Sequence, residues 1–80
     1  MSKKFDNVTI CNNAKITRIL PHKRHKEYSG VEVEVKYEKG TTGILCAFEP
    51  YIIAMLEDNI NKSVDLTIDN VGGEILDVVV

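Results

Sequence analysis

Between Val31 and Glu38 the chain alternates strictly: Val31, Val33, Val35 and Tyr37 are interleaved with Glu32, Glu34, Lys36 and Glu38. A period of two is the mark of a strand with one buried and one wet face. The next four residues, Lys39–Thr42, read as a turn, and Gly43–Phe48 is a nearly unbroken apolar run suited to a strand covered on both faces. Together these segments predict a hairpin. Upstream, Val8–Ile10 and Ala14–Leu20 are rich in β-branched residues, and the CNN between them is a candidate turn because Asn tolerates the left-handed conformation. Pro21 ends the second of these strands, since proline cannot donate to a central ladder.

The spacing changes after Phe48. Ile52, Ile53, Leu56 and Ile60 fall on one helical stripe, and Pro50 suits a first helical turn, where its missing N–H costs nothing. Glu57 and Asp58 oppose the negative end of the helix dipole, so the helix is expected to stop within a turn of Asn59 or Asn61. Alternation then returns in SVDLTID, with Val64, Leu66 and Ile68 inward; VGG turns the chain, and EILDVVV makes a last strand. The predicted order is β-β-β-β-α-β-β. It describes a mainly β, single-domain protein: a six-stranded barrel or rolled sheet with one short helix plugging an end.

Composition agrees with a folded domain, at 44% apolar and 28% charged residues in 80, too short a chain for a second core. No apolar run approaches the roughly 20 residues that span a bilayer. Behind the basic start MSKKFDN there is no apolar stretch, so no secretory signal is predicted and the cytoplasm is the expected location. Charge changes the picture more. Residues 1–26 hold seven basic side chains against Asp6 alone, a balance of +6, whereas residues 27–80 hold three lysines against eleven acids, a balance of -8. Such a chain can offer a basic face to an anion although its net charge is -2.

The search for catalytic chemistry turns up little. Cys11 and Cys46 lack the near partner a zinc site shows, and Cys46, read as sharing a strand face with Ile44 and Phe48, is expected to be a buried core thiol. No serine stands in a G-x-S-x-G setting, and neither VGG nor KGTTG has the spacing of a phosphate loop. A non-enzymatic protein without cofactor or metal is expected. The remaining feature is PHKRHKEYSG, in which His22, Lys23, Arg24, His25 and Lys26 stand beside Glu27 and Tyr28. Basic groups that donate to phosphate, with an aromatic that can stack on a base, are the means of single-strand binders.

The order of these features resembles the HIRAN domain, a small β-barrel module of fork-remodelling DNA translocases that also occurs as a short stand-alone bacterial or phage protein. The correspondence runs over residues 20–68, through the loop LPHKRHKEYSG, the alternating VEVEVKY, the glycine strand TGIL and the helix EPYIIAMLEDN followed by VDLTI. Glu27 falls at the family's aspartate, Lys26 at its tyrosine and Arg24 at its asparagine; Gly30 stands for an alanine, and Ile44 for a polar or aromatic residue. The resemblance implies a pocket for the 3′-hydroxyl end of single-stranded DNA. Glu27 would accept from the hydroxyl, Arg24 and Lys26 would hold phosphates, and Tyr28 would stack. The rival reading is a phage or mobile-element adaptor or inhibitor whose acidic strand face, Glu32, Glu34 and Glu38, docks on a basic host protein. A sponge for a small nucleotide is a third, and would need an apolar pocket. Paired sheet edges would also permit a dimer.

Overall fold

The computed structural model describes residues 7–21 and 30–80, with the backbone alone described at Pro21. Its elements are β1 (Val8–Pro21), β2 (Val31–Lys36), β3 (Thr42–Ala47), α1 (Pro50–Asp58), β4 (Ser63–Asp69) and β5 (Glu74–Val79). The five strands form one mixed sheet that closes in a ring, β1-β2-β3-β5-β4. All neighbours are antiparallel except β3 and β5, which run parallel and meet only at Cys46 and Glu74.

The order is therefore β-β-β-α-β-β, one strand fewer than the sequence predicts. The two N-terminal strands are one strand of 14 residues. Its CNN segment is a bulge and not a turn: the pairing with β4 steps from Cys11↔Leu66 to Ala14↔Val64, one residue longer on β1 than on β4. Asn13 is left-handed there, with φ 58°. Its N–H donates to Asp65 Oδ1 at 3.1 Å and its Nδ2 to Glu38 Oε2 at 3.4 Å. A second bulge at Thr17 shifts the pairing with β2, from Ile16↔Val35 to Arg18↔Glu34. Two bulges bend β1 so that its first half pairs with β4 and its second with β2, which is how one strand closes the ring.

The core is the ring's interior. Val33 and Val35 of β2 and Val64, Leu66 and Ile68 of β4 point inward as the alternation predicts, all buried. The hairpin after β2 closes through Tyr37 N–H to Thr41 O at 2.7 Å and Gly40 N–H to Tyr37 O at 2.8 Å. Helix α1 begins at Pro50, lays Ile52 and Leu56 into the same core and stops at Asp58, where Asn59 Nδ2 donates to Met55 O at 2.7 Å. Ile60 is not part of its stripe. It bridges to Ile16 beyond the helix, and Asn61 N–H reaches Ile16 O at 2.7 Å, tying the segment to the bend of β1.

Strand β3 also departs from expectation, since only its inner face is covered. Ala47 is fully buried and Leu45 packs on the core, but Ile44 is 61% exposed. The helix that could have covered the outside packs against β5 instead.

Candidate functional site

The seven loop residues His22–Tyr28 lie outside the described residues. Their frame does not. Pro21 pairs with Val31, so the loop leaves and re-enters the sheet at adjacent points. Gly30, at the re-entry, is buried beneath the ring of Phe48: a Cβ placed on it would lie 2.4 Å from Phe48 Cδ1 and 3.1 Å from Ala47 O.

The sheet that carries Pro21 and Val31 turns an outer face of β1, β2 and β3 to the solvent. Cross-strand partners share a face, so Arg18, Glu34 and Ile44 form one row, and Leu20, Glu32 and Cys46 the next. Arg18 Nε stands 3.6 Å from Glu34 Oε1, an exposed pair of small energetic weight. Thr17 Oγ1 donates toward Glu34, 3.0 Å from its backbone oxygen and 3.1 Å from Oε1. Glu34 is thus held in place, while Glu32 has no hydrogen bond or ion pair among the described residues. Glu38 lies apart, at the hairpin turn beside Asn13. The three glutamates that the sequence groups together occupy two places, and apolar Ile44 and Leu20 break up the acidic stripe.

The β4–β5 turn meets this face at Cys46. Its Gly73 O accepts from Cys46 N–H at 2.9 Å, and the Cys46 thiol sits 3.7 Å from Gly72 O and 3.6 Å from Gly73 O. The expected core thiol is therefore a half-buried group on the outer face. The hairpin register explains the correction, because Cys46 pairs with Glu32, whose side the water wets. Partial burial, with the negative charges of Glu74, Glu32 and Asp69 adding to it, pushes the Cys46 pKa up, the reverse of what an activated nucleophile needs. Both cysteines are free.

At the β2–β3 hairpin and the β1 bulge, Cys11, Asn12, Tyr37, Glu38, Lys39 and Thr41 line an open cleft of about 280 Å³. Burial, with Cys11 beside it, raises the Tyr37 pKa. Among the described residues no three of His, Cys, Asp and Glu come together as a metal site would need, and no helix is long and apolar enough to cross a membrane.

Arg18, Leu20, Ile44 and Cys46 are the face residues that sequence reasoning missed. Counting back from a Lys39–Thr42 turn would pair Ile44 with Tyr37 and Cys46 with Val35, on the inward side; the observed register, Lys36↔Thr42, instead pairs Ile44 with Glu34 and Cys46 with Glu32. No family model, curated protein or solved structure matches the chain. At Gly30, where the HIRAN pattern carries an alanine, a Cβ has no room under Phe48.

Proposed function

We propose that the protein is a non-enzymatic module that binds single-stranded DNA, with the loop His22–Tyr28 gripping phosphates above the outer face of β2 and β3. The observation that carries the reading is the strand order. A five-stranded ring running β1-β2-β3-β5-β4, with its helix between β3 and β4, supports reading the fold as a small OB-type Greek-key barrel, a class whose β2–β3 face and β1–β2 and β4–β5 loops bind oligonucleotides and oligosaccharides. Fold alone does not choose a ligand. Here the β1–β2 connection is the chain's densest basic segment, Lys23, Arg24 and Lys26 flanked by His22 and His25, which favours a polyanion. The HIRAN resemblance adds the finer proposal that the ligand is a 3′-hydroxyl end, with Glu27 accepting from the hydroxyl and Tyr28 stacking on the last base.

Fluorescence anisotropy of short labelled strands ending in a 3′-hydroxyl or a 3′-phosphate, each titrated across a range of salt, tests both levels. Binding is expected to weaken with salt and to favour the hydroxyl, and Glu27→Gln is expected to erase that preference. Replacing Lys23, Arg24 and Lys26 with Glu is expected to flatten the dependence of log K on log salt by about 2, since each phosphate contact on a single strand contributes about 0.7. No binding to either strand would overturn the proposal.

One observation favours the adaptor reading. Ile44, 61% exposed beside Glu34, gives the face an apolar centre with an acidic edge, a composition suited to a basic protein partner. Glu32→Lys with Glu34→Lys would abolish such docking.

A further inference from the structure

The ring closes poorly between β3 and β5. Cys46 N–H is spent on Gly73 O, so the Cys46 backbone faces away from β2. In an antiparallel pair the backbone groups alternate sides every residue, and the Tyr37–Thr41 hydrogen bond at the hairpin fixes the same phase. The N–H and C=O of Thr42 and Ile44 therefore also face away from β2. The only β5 residue paired with β3 is Glu74, opposite Cys46, and Thr42 and Ile44 have no backbone partner among the described residues. Among the described residues, Thr42 and Ile44 of β3 thus form an unpaired edge.

Edges of this kind are normally guarded by a lysine, a proline or an inward charge. Thr41–Leu45 has none of these. The edge is nonetheless built as a strand: the Tyr37 ring lies over Gly43, where an added Cβ would be 3.1 Å from Cε2, the aromatic cover that holds an edge glycine in an extended conformation.

We infer that β3 is a self-pairing edge, and that two copies of this chain join by antiparallel β3–β3 pairing about a two-fold axis at Gly43. In that register Thr42 of each copy exchanges both backbone hydrogen bonds with Ile44 of the other. Four orphan donors and four orphan acceptors are then satisfied at once, while Cys46 keeps its bond to Gly73. Gly43 meets its own copy at the axis, where the absence of a side chain permits close approach. A second copy suits this edge because the segment is its own complement and carries no charge to repel itself. The nearest acid one strand in, Glu34, ends up three strand spacings from its copy, about 14 Å, beyond the screening length of about 8 Å at physiological salt. The axis stands perpendicular to the sheet, so both outer faces point the same way. The two β2–β3 faces become one continuous surface.

The pairing is short, and a weak, concentration-dependent dimer is the expected result. It is read by sedimentation equilibrium together with amide hydrogen exchange of the full chain from micromolar to millimolar concentration. Protection of the Thr42 and Ile44 amides is expected to rise with concentration in step with dimer, whereas the Cys46 amide is protected throughout. Ile44→Lys, at an exposed position, is expected to weaken the dimer by roughly tenfold or more, and Leu76→Lys, on the outside of β5, to leave it intact. A chain that stays monomeric at millimolar concentration would overturn the inference, as would a dimer that survives Ile44→Lys. Protection of Ile44 that arises only on adding a host protein would also overturn it, in favour of strand addition by that partner.

Discussion

Adding one methyl group at Gly30 tests the packing that anchors the candidate loop. The position is not in the left-handed region, since Gly40 and Gly73 are the glycines with positive φ. Backbone strain therefore contributes nothing, and Gly30→Ala on entropy alone would stabilise the fold by about 0.4–1 kcal/mol, through the unfolded chain. Sterics oppose this. The new Cβ would lie 2.4 Å and 2.5 Å from Cδ1 and Cε1 of Phe48, and carbon atoms rest at about 3.5–4 Å. The ring must retreat by about 1 Å in a site also limited by Ala47 O at 3.1 Å. Overpacking of this kind costs about 1–3 kcal/mol, so the expected net loss is about 1–2 kcal/mol. For a domain of this size that lowers Tm by roughly 5–15 °C. Urea and thermal unfolding followed by circular dichroism measure the loss, with the m-value unchanged if the native state stays compact. Phe48→Leu supplies the second arm of a double-mutant cycle, in which the Gly30→Ala penalty should shrink by about 1 kcal/mol once the ring is gone. A Gly30→Ala protein as stable as the parent, or a penalty indifferent to Phe48, would refute the steric argument.

Three further outcomes follow from the core, the bulge and the half-buried thiol. Leu56→Ala empties a fully buried site under the ring and should cost about 2–5 kcal/mol, a large share of the roughly 4–12 kcal/mol that a chain of this length holds; urea midpoints check it. At Asn13, with φ 58°, replacement by Gly should be tolerated, whereas Val should lose about 1–2 kcal/mol or more by forcing a branched residue into left-handed geometry, again read from unfolding midpoints. Because Cys46 and Tyr37 are acids whose folded pKa values are raised, the folded state holds their protons longer than the unfolded chain. Stability should then decline as pH rises above the ordinary thiol value of about 8.5, and further through the tyrosine range. Cys46→Ala should remove the first part of that decline, and an unchanged slope in the variant would count against the burial assigned to the thiol.

The strands that could be read from the sequence are those without bulges on the readable face. In β2 Val33 and Val35 are buried and in β4 every second residue is, and the wet positions carry Glu32, Glu34, Asp65 and Asp69. Where a bulge inserts a residue the parity shifts. On β1 the inward positions are Cys11, Ala14, Ile16 and Ile19, and on β5 Ile75 and Val78 both point in because the pairing with β4 slips between Thr67 and Ile68. No fixed period finds such a strand, and the bulges themselves answer to ring closure, a long-range demand that local propensity does not carry. Strand β3 failed for another reason. Its composition is apolar on both sides, and composition does not distinguish a doubly covered strand from an edge whose exposed Ile44 still needs a partner. As for the candidate site, the basic loop was plain from composition, whereas the face beside it depends on which strands become neighbours.

That face sets the two functional readings against each other in a measurable way. A single strand held by the loop would pass near Glu32 and Glu34, whose charges oppose its phosphates. At a separation of about 10 Å in water each carboxylate costs about 0.4 kcal/mol before screening. Salt decides how much of this survives, since the screening length falls from about 30 Å at 0.01 M to about 8 Å at physiological ionic strength. Glu32→Gln with Glu34→Gln should therefore tighten DNA binding by roughly threefold at low salt, and hardly at all at physiological salt. Folding is not at risk in this variant, because neither glutamate is fully buried and the Arg18 pair is a weak one. If the face serves a basic protein instead, the same substitutions weaken binding, most strongly at low salt. The two readings thus predict opposite signs from one variant. An affinity for single strands that falls when these carboxylates are neutralised would mean that the glutamates contact the ligand directly, and the loop could no longer be assigned the whole of the site.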